Sequence, residues 1–283
     1  YVLGLYHIMD ELTTRFPEIL FEGCSSGGNR FDLGILNYFP QIWASDNTDA
    51  LCRTGIQNSY SYGYPLSVFT AHVSSCPNHQ TLRITPLETR FQVASFGVLG
   101  YECNLKDLSG SDLNAIREQI ALYKKWREVF QFGTFYRGTE NEDSDSETLS
   151  WTCVSPDGRR AVGLFFRRLT TPNQSHDWYR PVGLLPDVKY HFYGRNIKYN
   201  LKDFGDLVNT VSPVHIKQGS ALQEILSRFV NMDGEKEDLT AYGDTLMLAG
   251  IALKPAFAGT GYNSDTRLFP DFSSRIYFME AVE

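Results

Sequence analysis

The sequence lacks several features that mark common classes of protein. Its 26 lysines and arginines are outnumbered by 33 aspartates and glutamates, which gives a net charge of −7. Because nucleic-acid binding needs clustered cations, a nucleic-acid partner is not expected. No apolar run approaches the ~20 residues of a membrane-spanning helix, so no membrane partner is expected either. The five cysteines form no Cys-x-x-Cys pair, which disfavours a structural metal site and a disulfide framework.

The start of the chain also lacks the usual signals. The first residue is Tyr1 and not methionine, and no secretion signal precedes the first helix-like stretch. We therefore expect the chain to be a piece of a longer protein. Cysteines without a pairing pattern favour a reducing compartment, so a cytoplasmic location is the expectation. With 42% apolar residues, the composition is that of a folded protein of one or two domains.

The first 132 residues show a repeated strand–helix pattern. Short apolar runs followed by loop and helix signals predict strands at residues 19–21, 41–44, 66–70 and 91–96. The apolar spacing after Ser111 predicts a long amphipathic helix with that serine as its N-cap. Repeated units of this kind are typical of α/β proteins. The pattern alone fits two folds. One is half of a (β/α)8 TIM barrel, whose complete form needs ~250 residues, and the other is a small doubly wound domain.

Residues 133–283 have a different pattern. Strand-rich sequence without a long helix predicts an antiparallel β-sandwich. Residues 220–229 form the one predicted helix in this half. The predicted organisation is therefore an α/β domain at 1–132 followed by an all-β domain at 133–283. The β-like runs lie at residues 149–154, 161–169, 189–193, 246–253 and 275–280.

Polar clusters follow three of the predicted strands, at residues 24–30, 45–49 and 70–74, where βα proteins place their sites. Residues 24–30 form a glycine-rich segment, which is either a plain tight turn or a loop whose N–H groups contact a polar ligand. The second cluster places Trp43 just before Asp46 and Asp49. An aromatic ring beside carboxylates suits a sugar, and two carboxyl groups are what glycoside hydrolysis requires. The alternative is that both aspartates begin a helix and that Trp43 belongs to the core.

A set of short motifs in one order carries a resemblance that is more specific than any single motif. They lie at residues 15–22, 24–28, 30–32, 40–50, 71–74, 77–81, 83–90, 96–102, 257–262 and 271–275. On these motifs the chain resembles the C-terminal portion of the glycoside hydrolase family 36 α-galactosidases, or melibiases. The resemblance implies barrel strands five to eight followed by a C-terminal β-sandwich. It also implies hydrolysis of terminal α-1,6-galactosides, such as melibiose and raffinose, with retention at the anomeric carbon.

The resemblance implies roles for individual residues. Asp46 matches the family's general acid/base, which must be protonated when the leaving oxygen takes its proton. Cys24, Ser25 and Gly27 match the loop that lines the galactose pocket, and Trp43 is expected to pack under the site. Asp49 is expected to be a structural carboxylate at a helix start. Asn29 stands where the family commonly has a third glycine, and asparagine tolerates a positive φ better than most residues.

One expected feature is missing from these 283 residues. The family's nucleophilic aspartate lies in a Lys-Trp-Asp motif, and Lys125-Trp126-Arg127 in the predicted long helix does not match it. We therefore expect the chain alone to be inactive. The resemblance implies no cofactor and no metal, an α-galactoside oligosaccharide as substrate, and a homo-oligomer such as a tetramer. Two alternatives stay open: a galactosyltransferase of the raffinose-synthase or stachyose-synthase type, and a non-catalytic galactose-binding protein.

Overall fold

The computed structural model describes residues 1–138, 147–171, 177–210, 212–227, 229–234, 237–254 and 268–282. The chain divides into two compact units, Tyr1–Phe135 and Tyr136–Glu283. The predicted motif at residues 257–262 lies outside the described residues. Within the described parts of the chain, no helix combines the length and the apolar character needed to cross a membrane.

The first unit contains a four-stranded parallel sheet with the strand order β1-β2-β3-β4. This order follows the chain without a reversal, whereas a doubly wound sheet reverses direction at a switch point. The strands are β1 (Glu22–Gly23), β2 (Gln41–Trp43), β3 (Phe69–Ser74) and β4 (Val98–Glu102). The helices are α1 (Val2–Arg15), α2 (Ser25–Gly28), α3 (Leu33–Leu36), α4 (Ala50–Tyr60), α5 (Leu87–Ser95) and α6 (Gly110–Phe132).

The prediction of a strand at residues 91–96 is wrong. This stretch lies in α5 and the residue after it, and the fourth strand is β4. The apolar run misled the prediction because α5 is buried on many sides: Phe91, Gln92 and Ser95 are all fully buried. A buried helix segment and a buried strand cannot be told apart by periodicity alone. The third strand also begins later than predicted, at Phe69, after a 3-10 turn over Leu66–Val68.

The long helix of the first unit forms where the sequence predicts it, but its N-cap is different. The Ser109 hydroxyl accepts a hydrogen bond from the Asp112 N–H at 3.1 Å, and the Asp112 carboxylate accepts one from the Ser109 N–H at 3.3 Å. This reciprocal capping box replaces the predicted cap at Ser111. The apolar stripe of α6 then buries Tyr123, Trp126 and Phe130 within the unit.

The second unit is built on a six-stranded sheet with the order β12-β9-β14-β7-β6-β5. Its pairings from β12 through to β6 are antiparallel, as predicted for this half of the chain. Two-stranded sheets pair β8 with β13 and β10 with β11. The strands are β5 (Thr134–Arg137), β6 (Thr148–Val154), β7 (Arg160–Arg167), β8 (Trp178–Tyr179), β9 (Lys189–Gly194), β10 (Lys198–Asn200), β11 (Asn231–Asp233), β12 (Asp238–Tyr242), β13 (Ile251–Ala252) and β14 (Ser273–Ala281).

The core of the second unit joins the large sheet to smaller elements. Tyr179 of β8, Tyr190 of β9 and Tyr277 of β14 are fully buried in one cluster with Leu246 and Ile251. Leu246 belongs to α8 (Gly243–Leu248), which follows α7 (Ala221–Leu226) in the chain. The predicted strand at 246–253 is therefore wrong in its first half, and only the short strand β13 remains of it.

Candidate active site

An open cleft lies beyond the C-terminal ends of β2, β3 and β4. Its volume is about 410 Å³. Trp43 is the last residue of β2, Ser74 ends β3 and Glu102 ends β4, so three neighbouring parallel strands each place a side chain at the C-terminal end of the sheet. This is the end of the sheet at which βα proteins bind their ligands. The lining residues are Trp43, Asp46, Thr48, Ser74, Ser75, His79, Gln80 and Glu102.

Asp46 is exposed to this cleft and is held by one side-chain donor. The indole Nε1 of Trp43 donates a hydrogen bond to Asp46 Oδ1 at 2.9 Å. Trp43 itself is only 9% exposed. The second carboxyl oxygen, Oδ2, has no hydrogen bond from the described side chains. A buried ring thus fixes the orientation of the carboxyl group while leaving one oxygen available to a ligand.

The turn that follows β1 packs against Asp46. Ser25, Ser26, Gly27 and Gly28 all have positive φ angles, of 56°, 55°, 77° and 89°, so the backbone makes a left-handed turn. The turn is closed by a hydrogen bond from Gly28 N–H to the Cys24 carbonyl at 2.8 Å. A Cβ on Gly27 would lie 3.0 Å from the Asp46 nitrogen and 3.4 Å from Asp46 Oδ2. The positive φ and the close approach of the backbone to Asp46 therefore both favour glycine at position 27.

The other predicted residues of this turn lie near the site in different ways. Cys24 is exposed with a free thiol, and the Ser25 hydroxyl accepts a hydrogen bond from Arg30 Nη1 at 2.9 Å. Neither side chain is among those that line the cleft. Asn29 does not use its tolerance for a positive φ, since its φ is −61° and its side-chain amide donates to the Ser26 carbonyl at 3.0 Å. The positive φ angles fall on the two serines, where they are strained.

Asp49 occupies a different environment, only three residues after Asp46. It is 2% exposed and caps α4, since its Oδ1 accepts the Cys52 N–H at 3.0 Å. The Thr81 hydroxyl donates to Oδ2 at 2.7 Å, and the Arg83 guanidinium lies 2.7 Å from Oδ1. Burial alone would raise the pKa of this carboxyl, but the hydrogen bonds and Arg83 together hold it below its ordinary value. The predicted structural role of Asp49 at a helix start is confirmed.

Four residues that line the cleft lie outside the predicted polar clusters: Ser75, His79, Gln80 and Glu102. His72, which lies in the predicted cluster at 70–74, packs on Trp43. The His72 ring centroid lies 4.5 Å from that of Trp43, and its Nδ1 is 3.3 Å from Glu102 Oε2. The signal for Glu102 was its place at a strand end, which the misplaced fourth strand concealed. Among the described residues, no group of three or more potential metal ligands comes together.

Two family models match the chain. The model described as melibiase matches residues 1–133. The model described as the glycosyl hydrolase family 36 C-terminal domain matches residues 148–279. The two matches follow one another and together take in both compact units.

Curated relatives are similar over two thirds of the chain. Alpha-galactosidase 1 of Pediococcus pentosaceus is 47% identical over 190 residues, which are 67% of this chain and 26% of that protein. Alpha-galactosidase AgaA of Geobacillus stearothermophilus is 44% identical over 197 residues, which are 70% of this chain and 27% of that protein. The chain thus spans about a quarter of the length of these relatives.

Solved structures are similar over the whole chain. The α-galactosidase of Lactobacillus brevis matches with a TM-score of 0.78 and 35% identity, over 100% of this chain and 32% of that one. A variant of AgaA from Geobacillus stearothermophilus, solved in complex with raffinose, matches with a TM-score of 0.75 and 36% identity, over 100% and 31% of the two chains. These relatives and solved structures are described as α-galactosidases. On both family models and these relatives, the chain belongs to glycoside hydrolase family 36.

Proposed function

We propose that this chain supplies the acid/base half of a retaining α-galactosidase. The observation that carries the proposal is the hydrogen bond from Trp43 to Asp46 at the mouth of an open cleft. A general acid must present one carboxyl oxygen to the glycosidic oxygen in a fixed orientation. The indole holds Oδ1, so Oδ2 is the oxygen that carries the proton toward the substrate.

The proposed reaction has two displacements. In the first, Asp46 gives its proton to the glycosidic oxygen as the bond to the anomeric carbon breaks, and a nucleophilic carboxylate bonds to that carbon. In the second, the Asp46 carboxylate takes a proton from water as the water oxygen attacks the same carbon and the carboxylate nucleophile leaves. Each displacement inverts the carbon, so the overall configuration is retained. The substrate class is terminal α-1,6-galactosides such as melibiose and raffinose.

The nucleophile has no counterpart in this chain, because no Lys-Trp-Asp motif occurs in its 283 residues. We propose that β1 to β4 form one half of a (β/α)8 barrel, strands five to eight, whose other half carries the nucleophile. The parallel pairing and the sequential strand order support this. In this proposal, residues 1–132 belong to the catalytic barrel and residues 133–283 form a C-terminal β-sandwich domain.

The galactose pocket is assigned to the left-handed turn. Cys24, Ser25 and Gly27 are the proposed contacts with galactose, and Trp43 is proposed to pack under the site. Support comes from the packing of Gly27 against Asp46, which places the turn beside the acid, and from positive φ angles that expose backbone groups on the turn. AgaA, a relative, has been solved with raffinose and with stachyose. A homo-oligomer, such as a tetramer, is also proposed for the complete enzyme.

The test is a chimera in which this chain replaces the matching third of AgaA. We expect the chimera to hydrolyse melibiose and raffinose, and NMR of the first product to show the α-anomer of galactose. The isolated 283-residue chain is the control and is expected to show no turnover of a nitrophenyl α-galactoside. Turnover by the isolated chain contradicts the assignment of the nucleophile. A folded chimera that binds galactose without turnover favours a binding protein, and transfer to sugar acceptors in preference to water favours a galactosyltransferase.

A further inference from the structure

Arg53 is a buried cation that has no role in the proposed reaction as described above. It lies on α4, one turn after the Asp49 cap, and is 3% exposed. Its Nη2 donates to the Ser45 carbonyl at 3.2 Å. Its Nε and Nη1 are buried and have no hydrogen-bond partner in the described parts of the chain. Burial of an incompletely bonded guanidinium is costly, so its position calls for an explanation.

The guanidinium lies over the ring that holds Asp46. Its central carbon is 4.5 Å from the Trp43 ring centroid, within the range of a cation–π contact. The Ser45 carbonyl that it binds belongs to the residue immediately before Asp46. Arg53 thus contacts both the ring that donates to the Asp46 carboxyl and the backbone that leads into Asp46. These two contacts of Arg53 are independent of one another, and both affect the position of Asp46.

We propose that Arg53 is a positioning residue that acts on Asp46 through Trp43, fixing the indole N–H on the carboxyl and stabilising its ionised form. This inference rests on the proposed function of Asp46 as the acid/base. A cation over the indole ring makes its N–H a stronger donor, since electron density is drawn toward the charge. After Asp46 has given up its proton, the strengthened hydrogen bond and the positive charge both favour the carboxylate.

Other charged and titratable groups line the same cleft or pack on Trp43, and their effects must be separated from that of Arg53. His72 on β3 packs on Trp43, Glu102 on β4 pairs with His72, and His79 lines the cleft from the following loop. Burial lowers the pKa of Arg53 to about 10, while Glu102, Tyr60 and Asp46 oppose that shift. Arg53 therefore remains a cation at neutral pH.

The test is Arg53→Met in the active chimera, with Arg53→Lys as the conservative variant. For kcat/KM on melibiose, the basic limb of the pH profile reports the acid. Loss of the cation makes the carboxyl hold its proton to higher pH, so the limb should move up by about half a pH unit or more in the Met variant. The kcat at neutral pH should fall ~10-fold or more, because Trp43 no longer holds the carboxyl in place, whereas KM changes little. The Lys variant should recover part of the pH shift but less of the kcat.

Two controls separate this role from a merely structural one. Arg275→Met removes another buried arginine that lies over an aromatic ring, 4.4 Å from the centroid of Phe269, in the second unit. It should leave the pH profile of the chimera in place. In the Asp46→Asn background, Arg53→Met should have no further effect on a nitrophenyl galactoside, since the group on which it acts is absent.

The outcomes distinguish the two proposals. If the unsubstituted chimera folds but hydrolyses no galactoside, the proposed function fails first. If the chimera is active and Arg53→Met leaves the basic limb and kcat unchanged, the positioning role is overturned while the function stands. If Arg53→Met fails to fold, the Arg53→Lys profile decides: an unmoved limb with unchanged kcat contradicts the role, and a lowered kcat with little change in KM supports it.

Discussion

Two carboxyl groups of the first unit, three residues apart in the chain, lie in opposite environments. The end of β2 presents Asp46 to an open cleft with one side-chain donor, Trp43. The start of α4 buries Asp49 among the Cys52 N–H, the Thr81 hydroxyl and the Arg83 guanidinium. Under the proposed role of Asp46, the difference separates a carboxyl that is oriented but has one oxygen without a side-chain donor from a carboxyl whose oxygens are all bonded. A carboxyl whose acceptor sites are filled stabilises the fold and cannot exchange a proton readily.

The sharpest test of this comparison removes the carboxyl group of Asp46 and measures activity and stability separately. Asp46→Asn in the active chimera should lower kcat/KM for melibiose by ~10² to 10⁴, since the amide cannot donate an acidic proton. The free energy of unfolding of the 283-residue chain should hardly change, because asparagine keeps an oxygen for Trp43. Azide should restore part of the activity of Asp46→Ala on a nitrophenyl galactoside. Undiminished activity of Asp46→Asn on melibiose would refute the role of Asp46.

Asp49→Asn should do the reverse, with stability as the main loss. Asparagine still caps α4 through Oδ1, so the variant removes the charge that pairs with Arg83 and the oxygen that accepts the Thr81 hydroxyl. Loss of a buried charge that is paired with a half-buried partner should lower the free energy of unfolding by about 1–3 kcal/mol, measured by urea titration of the chain. Arg83→Met is the matched variant and should cost a similar amount. A larger loss of kcat than of stability would show that the two segments are not separate in function.

Gly27→Ala should lower both stability and kcat, each by a modest amount. The positive φ and the 3.0 Å approach of a Cβ to the Asp46 nitrogen both oppose the methyl group. We expect a loss of about 1–2 kcal/mol in stability and a drop of ~10-fold in kcat, because Asp46 must move. Gly55→Ala in α4 is the control: its Cβ would meet nothing within 4 Å, and it should stabilise the helix slightly. Equal kcat for both alanine variants contradicts the contact with Asp46.

The smallest expected effect is the pH dependence of stability that Asp49 contributes. Its folded-state pKa is lowered, so its stabilising contribution is complete above the unfolded value of ~3.9 and is lost as pH falls below that value. Unfolding of the wild-type chain and of Asp49→Asn, followed at pH 6 and at pH 3, should show a difference that shrinks at the lower pH. A difference that is constant with pH would mean that the Asp49 carboxyl is not held ionised by its neighbours.

The sequence predicted the second strand well, at 41–44 against Gln41–Trp43 in the structure, whereas the third strand begins later than predicted and the fourth lies elsewhere. The motif around Asp46 could be placed at a strand end because a short apolar run precedes it and helix-start residues follow. The Trp43–Asp46 hydrogen bond could not be predicted, because it depends on the rotation of an indole ring. Glu102 was missed for a different reason: the buried helix α5 looks like a strand in sequence, so the true strand end, five residues after Gly97, was not recognised.

The turn after β1 shows where local rules were too simple. The glycines at 27 and 28 adopt the positive φ that their sequence suggests, but Asn29, which tolerates positive φ, does not. Two serines adopt it instead, because the chain must close the turn from Cys24 to Gly28 and bring Gly27 onto Asp46. Packing against a neighbouring strand therefore overrides the intrinsic preference of individual residues.

The order of the parallel sheet has a consequence for handling the protein. β1 and β4 stand at the two edges of the sheet, and each pairs with a single neighbour among residues 1–138. β4 is five residues long, and its Leu99 N–H donates to the Tyr123 hydroxyl of α6 at 3.3 Å, so a side chain covers part of its outer edge. Backbone groups of an edge strand that are left uncovered can pair with another chain. In concentrated solution, such an edge is a template for intermolecular pairing. For the isolated chain, we therefore expect association at high concentration to depend on how well this edge is covered.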